Sequence, residues 1–337
     1  MTPQPSAQEV VRRIVEAAAP YEFRSFLVGL DRALMEESGE PAGAAARRLK
    51  SSVGAELHRR WPGRAVDFRH PEVRFVVRPD LAVECHPAPL FLAGRYRKLS
   101  RAIPASRWMH MPCRGRGCAD CRYTGDICGP SVQELFEEPL LAATGGGRCF
   151  FHGLGREDTD ARMLGRGRPF VLEVEAPRRR SIDLGALVEA ASRAGEGRCE
   201  LLRPAVVERT AVDLVKTAAA DKTYRAWIRL DGPPPGDASA RLEPLDGALV
   251  EQLSPTRVMH RRGRDKMRPK RVVSCRWLGE VDGLWLWNVR AESGTYIKEF
   301  VSGDEGRTQP SWSGHLGVPC RVTALDVMGI LDDATPG

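Results

Sequence analysis

His152 to Phe170 reads HGLGREDTDARMLGRGRPF. Three carboxylates (Glu157, Asp158, Asp160) stand among four arginines (Arg156, Arg162, Arg166, Arg168), with four glycines and no lysine. A solvated helix face also mixes charges, but it prefers Lys and Glu and avoids Gly. The pattern predicts a loop that holds a carboxylate among guanidinium groups. A neighbouring cation lowers a carboxyl pKa and keeps it ionised. An ionised aspartate can serve as nucleophile, general base or metal ligand. Asp158 is the candidate if Arg156 and the glycine-bearing turn set its direction. Asp160 shares its face in an extended segment, so periodicity leaves both open.

Four further stretches carry chemistry. In SGTYIKEFVSGDEGRTQPSW (293–312), Lys298 is placed to pair with a buried carboxylate, with Tyr296 near it and Ile297 and Phe300 expected inside. In DKTYRAWI (221–228), Tyr224 lies in a strand between basic residues. In HRRGRDKMRPKR (260–271), seven of twelve residues are Arg or Lys, and Asp265 is the one acid. Such a run repels itself unless a polyanion neutralises it, so phosphate contacts are expected from Arg261, Arg262, Arg264, Lys270 and Arg271. In HMPCRGRGCADC, His110-x2-Cys113 and Cys118-x2-Cys121 form two chelating hooks four residues apart. That spacing suits a tetrahedral, four-ligand structural zinc site, with Cys128 as an alternative to His110.

These side chains need a frame. The chain has 337 residues, 42% hydrophobic and 28% charged, which suggests two or three soluble domains. No apolar run is long enough to cross a membrane, and MTPQPSAQEVVRRIVEAAAP lacks a signal-peptide core. The nine cysteines are an odd count, which argues against a disulfide framework and for a reducing cytoplasm. A net charge of +7 and a pI near 9.0 suit a nucleic-acid partner. Helices are expected over 8–19, 42–60, 131–143 and 181–195, the third opened by a Ser131/Glu134 capping box. Strands are expected over 23–30, 65–79, 82–86, 169–177, 223–230, 271–281, 284–293 and 320–330, with a short helix in 295–304. Residues 95–108 read as a basic connector and 231–240 as a surface loop. Strands that do not strictly alternate with helices argue for α+β with a mixed or antiparallel sheet.

Together, GREDTDARMLGRGRPF, RRRSIDL, KTYRAWI, HRR and GTYIKEFVSGDEGRTQPS resemble the archaeal and eukaryotic tRNA pseudouridine synthases that act on positions 54 and 55 of the TΨC arm. PLFLAGRYRKLSR and CRGRGCADCRYTG extend the resemblance, which covers about residues 65 to 330. It implies a THUMP-type RNA-binding accessory domain over 1–105, a Cys-rich zinc knuckle over 106–130 and a pseudouridine synthase domain over 131–337. That domain would be a mixed, mainly antiparallel sheet with a central cleft.

Asp158 matches the family's catalytic aspartate and Tyr224 its active-site tyrosine. Lys298 sits where a basic residue pairs with that aspartate, and Phe300 or Val301 would supply an apolar wall. Arg156, Arg162, Tyr296 and Arg307 would join the basic run in holding RNA. No organic cofactor, membrane or protein partner is implied; the partner is tRNA, whose target base must be flipped out of a folded arm. This sequence has His110 where the family has a knuckle cysteine, and Ser302 where a histidine usually precedes Gly-Asp. An N-terminal cysteine-pair segment common in the family is absent.

Two functions of other classes compete. One is a catalytically silent tRNA-binding or chaperone protein. The other is a zinc-dependent nucleobase deaminase, which needs a His-x-Glu pair at an open zinc. No such pair lies near Cys113.

Overall fold

The computed structural model describes residues 6–31, 44–258 and 265–332. Arg261, Arg262 and Arg264 lie outside the described residues.

The first element, α1 (Ala7–Ala18), is capped by Ser6, whose hydroxyl accepts from the Glu9 N–H. Its apolar stripe buries Val10, Val11, Ile14 and Ala18. Then come β1 (Ser25–Leu30), α2 (Ala44–Arg60), β2 (Ala65–Val66), β3 (Val73–Val77) and β4 (Val83–Pro87). They form a four-stranded sheet in the order β2-β1-β3-β4. Its core is separate from the rest and centres on Phe23, Phe26, Trp61 and Phe75. Trp61 meets the edges of Phe23 and Phe26 at 5.1 and 5.0 Å between ring centroids. The single strand expected over 65–79 is two strands, parted where Asp67 accepts the Arg69 and His70 N–H groups.

β5 (Leu90–Lys98) lies inside the stretch assigned to the accessory domain, yet it is an inner strand of the second sheet. Its sequence predicts no element over residues 90–94 and a connector from residue 95. It carries no alternation because nearly all of it is buried on both faces. Two short 3-10 turns follow, Met111–Cys113 and Ala119–Cys121, in the stretch expected to be the knuckle.

The larger unit continues with α3 (Val132–Thr144), β6 (Arg148–Gly153), β7 (Ala161–Glu175), α4 (Leu184–Gly195), β8 (Cys199–Val207), α5 (Thr210–Thr217) and β9 (Asp221–Leu230). It closes with α6 (Ala238–Leu242), β10 (Leu249–Gln252), β11 (Arg268–Val281), β12 (Leu284–Ala291), α7 (Ile297–Ser302), β13 (Thr308–Gln309), α8 (Trp312–Leu316) and β14 (Cys320–Leu331). Ser131 and Glu134 make the expected capping box on α3, and Asp183 caps α4. A ten-stranded sheet runs β13-β10-β11-β12-β9-β14-β7-β5-β8, with β6 added on β7. Among the described pairs of this sheet only β14–β7 is parallel. The fold is therefore a mixed, mainly antiparallel α+β fold. No described helix is long and apolar enough to cross a membrane.

The two units meet at Glu22, whose carboxylate accepts the N–H groups of Arg180 and Ser181 at 2.6 and 2.8 Å.

Candidate active site

Beyond His152 and Gly153, which end β6, the charged stretch resolves into two parts. Residues 154–160 are the expected loop, whereas Ala161 onward is strand β7. Two of the four glycines are bends within that strand. Gly165 and Gly167 have φ of 58° and 78°, and a Cβ on Gly167 would lie 2.7 Å from the Tyr96 carbonyl oxygen. Only glycine fits such a backbone approach.

The loop opens on a cavity of about 410 Å³, walled by Asp158, Tyr224, Tyr296, Lys298, Arg156 and Lys222, among others. Asp158 Oδ1 accepts from Arg257 Nη1 at 2.9 Å, and its Oδ2 lies 3.3 Å from Lys298 Nζ. Burial works to raise the Asp158 pKa, but Arg257 and Lys298 outweigh it and hold the carboxyl below its ordinary value. Lys298 approaches Asp160 more closely, at 2.7 and 2.8 Å. Asp160 is 65% exposed and is not among the residues lining the cavity, whereas Asp158 is 36% exposed and lines it.

The guanidinium beside Asp158 is none of the four arginines in its own stretch. Arg168 is wholly buried and pairs with Glu157 at 2.9 Å, while Tyr96 Oη donates to the same carboxylate at 3.0 Å. Arg162 donates two bonds to buried Asp326, at 2.9 and 2.6 Å, and Arg101 adds a third at 2.6 Å. Arg162 therefore braces β7 against β14 rather than facing the cavity. Arg156 is exposed on the rim.

Asp158 is also fixed through its backbone. Lys98, fully buried at the end of β5, donates to the carbonyls of Asp158 (3.2 Å), Thr159 (2.7 Å) and Ile103 (2.9 Å). On the facing side, the Gln252 amide clasps both backbone groups of Tyr296, at 2.9 and 3.0 Å. Arg257 is steadied in turn by Glu299, at 2.6 Å from its Nε.

Tyr224 points inward from β9, between Val289 and Val327 on the adjoining strands. Burial pushes its phenol up to about 12, so it stays protonated at neutral pH. Phe300 and Val301 do not wall the cavity; they are buried in the core, and Ile297 takes the wall position. Arg307 holds the Asp265 carboxylate at 2.6 Å and the Ser254 carbonyl at 2.8 Å. Arg271 reaches the Gly247 carbonyl at 3.3 Å, while Lys270 Nζ comes within 3.6 Å of the place a Cβ on Gly294 would occupy, at the cavity edge.

Arg257, Glu299, Lys98 and Lys222 were absent from the sequence-derived site. Only Lys222 carried a readable signal: the alternation that turns Tyr224 inward turns Lys222 to the same face.

The knuckle brings its four donors together. His110, Cys113, Cys118 and Cys121 offer ligand atoms that all lie within 4.8 Å of one another; Cys128 is not part of that group. A tetrahedral zinc with Zn–S of about 2.3 Å and Zn–N of about 2.0 Å has S···S edges near ~3.8 Å and S···N edges near ~3.5 Å. The sulfurs of Cys113 and Cys118 stand 3.9 and 3.8 Å from Cys121 Sγ, and 3.4 and 3.5 Å from His110 Nδ1. The donor set therefore fits zinc. The two hooks are near-copies: each is a short 3-10 turn closed by an arginine, Arg114 or Arg122, with φ of 52°.

The family model "Pus10, C-terminal" matches residues 91–331. The tRNA pseudouridine synthase Pus10 of Methanothermobacter marburgensis is 42% identical over 93% of this chain and 80% of its own length. That of Methanothrix thermoacetophila is 40% identical over 96% of this chain and 74% of its own. That of Archaeoglobus fulgidus is 36% identical over 96% and 91%. A chain of a Cbf5–Nop10–Gar1 complex matches 61% of this chain at 17% identity with a TM-score of 0.38, too low to assign the fold by itself. On the family match and these relatives, this chain belongs to the Pus10 family.

Proposed function

We propose that this chain is a tRNA pseudouridine synthase that isomerises uridine 55, and uridine 54 where the substrate presents it, in the TΨC loop. The observation that carries the reading is Asp158. It is a carboxylate kept ionised by Arg257 and Lys298 at the wall of a cavity that also holds a protonated tyrosine. The names of the relatives support the activity. The chemistry is redox-neutral and needs no organic cofactor: uracil leaves C1′, turns, and rejoins through C5.

Asp158 serves this reaction either by attacking C1′ or by taking the 2′ proton to give a glycal, and both roles need the ionised form. Lys298 and Arg257 hold that form and aim it. Tyr224 closes the cavity beneath the base and assists the later proton transfer. The base has to leave its stack to reach this wall. Arg156 at the rim, Lys270 and Arg271 on β11, and Arg261, Arg262 and Arg264 beyond the described residues are the proposed phosphate grips. The small N-terminal sheet is proposed as the THUMP-type accessory unit. Its boundary falls before β5 rather than at residue 105, since β5 belongs to the large sheet. Zinc held by His110, Cys113, Cys118 and Cys121 would cross-link the knuckle. With four protein ligands its role is structural.

The test is pseudouridine mapping on an unmodified tRNA transcript with the wild type, Asp158→Ala and Asp160→Ala. Conversion in the TΨC loop lost with Asp158→Ala and retained with Asp160→Ala is the expected result. Tight tRNA binding without conversion by the wild type sinks the synthase reading and leaves a binding protein.

A further inference from the structure

Lys222 sits two residues before Tyr224 on the inward face of β9, and the proposed reaction has so far given it nothing to do. Its residue exposure is 6%, and it is part of the cavity wall. The ammonium donates to Ser293 Oγ at 3.0 Å and to the Ala220 carbonyl at 3.2 Å. An ammonium carries three protons. Among the described residues, two protein acceptors account for two of them, which leaves one for a ligand. The neighbouring cation, Arg168, differs: it is tied to Glu157 and to the Leu154 carbonyl. Gly155 keeps this wall bare. A Cβ there would sit 3.3 Å from Arg168 Nη1 and 3.9 Å from Lys222 Cε. A side chain at 155 would crowd Arg168 and touch the Lys222 stem. Burial lowers the Lys222 pKa to about 8, which still leaves the group charged at neutral pH.

We propose that Lys222 is a catalytic residue that stabilises the uracil anion formed when the C1′–N1 bond breaks. The proposal rests on the synthase reading above. In either route the bond electrons leave with N1 and spread onto the ring carbonyl oxygens. In direct displacement the Asp158 carboxylate forms the new bond to C1′. In the glycal route Asp158 receives the 2′ proton as the C1′–C2′ double bond forms. The anion then turns, and C5 bonds to C1′ as the Asp158–C1′ ester bond breaks or, from the glycal, as Asp158 returns its proton to C2′; the C5 proton is then lost as N1 gains one. Nothing is oxidised or reduced. A fixed cation that meets charge only as it develops lowers the barrier without tightening ground-state binding. Lys298 and Arg257 cannot fill this role, because both are committed to carboxylates.

The experiment compares tRNA carrying uridine with tRNA carrying 5-fluorouridine at the target position. Single-turnover rates of loss of the N1-linked nucleoside are read by chromatography of nuclease digests for the wild type, Lys222→Met and Lys222→Arg. Fluorine makes the uracil ring more acidic, so its anion needs less help. Lys222→Met is expected to lower the uridine rate by about 10²–10³-fold, with tRNA affinity held within about threefold. The defect on 5-fluorouridine should be at least about tenfold smaller, and Lys222→Arg should recover part of the uridine rate. An equal defect on both bases, or none, overturns the proposal. If Lys222→Met fails to bind tRNA, the same ratio is read on Lys222→Arg, where equal defects again overturn it. Failure of the wild type to convert uridine sinks the synthase reading instead.

Discussion

Arg257 stands between two acids of different kinds, and changing it separates its structural work from its chemical work. One face of its guanidinium holds Asp158 at 2.9 Å; the other holds Glu299 at 2.6 and 3.4 Å. The Glu299 side chain is 5% exposed, and no other side-chain bond to it is seen among the described residues. In Arg257→Met that carboxylate is left buried without a cation. Breaking a fully buried pair costs about 3–5 kcal/mol. Arg257 is itself 37% exposed, so screening reduces the expected loss to about 2–3 kcal/mol. Asp158 keeps only Lys298, and a misaimed carboxylate should slow the single-turnover rate on the order of 10²-fold. Adding Glu299→Gln removes the buried charge. The double variant should regain most of the stability, because an amide is cheaper to bury than an unpaired ion. It should regain none of the rate, because Asp158 still lacks its partner. Urea unfolding, read as a midpoint shift at constant slope, gives the first quantity, and uridine conversion on tRNA transcript gives the second. Recovery of the rate together with the stability would refute the reasoning and leave Arg257 as scaffold alone.

Three other outcomes are expected. Since Asp158 titrates below its ordinary value of 3.8, the charged form is favoured in the folded protein. Its contribution is complete above the unfolded value and disappears as pH falls through the folded one, so the single-turnover rate should stay level from neutrality to about pH 5. In Arg257→Met the acid limb should move up in pH. Purified protein should hold about one zinc per chain by elemental analysis, unchanged in Cys128→Ser and lost in His110→Ala or Cys118→Ser. Glu157→Gln leaves Arg168 as an unpaired buried cation, and should cost about 3–5 kcal/mol in urea unfolding.

How far the sequence could be read depended on whether a residue's role was local. Strand β9 alternates, with one face inside, and period two marks it. Capping by Ser131 marks the start of α3 to within a residue, whereas α4 begins at Leu184, three residues inside the expected 181–195. The metal hooks were legible because their ligands are near neighbours in the chain. β5, β6, β8, β10 and β13 lie outside the expected strands. β5 has apolar and charged residues side by side, nearly all of them inside, so its Arg95 and Lys98 read as solvent-facing when both are buried. Arg95 is neutralised by Asp332, which lies in the last described stretch of the chain, with bonds of 2.8 and 2.9 Å.

The same distinction explains the site. Asp158, Tyr224 and Lys298 came from a motif resemblance, and the cavity gathers all three. The four arginines near Asp158 in sequence suggest that one of them holds it, yet Arg156 stays exposed on the cavity rim, Arg166 is exposed on β7, and strand geometry sends Arg162 and Arg168 elsewhere. Once β7 begins at Ala161, Arg162 points to the face where Asp326 of β14 waits, since the two residues are paired across the strands. Arg168 lies six residues on, past two left-handed glycines, and turns into the core toward Glu157. The vacated place beside Asp158 is taken by Arg257, 99 residues away in sequence, from a short turn that no periodicity marks. Lys98 reaches the Asp158 carbonyl across 60 residues in the same way. A charge cluster in a sequence thus signals that charges are being buried and paired. Which charge meets which is set by strand register, and register is a property of the assembled sheet.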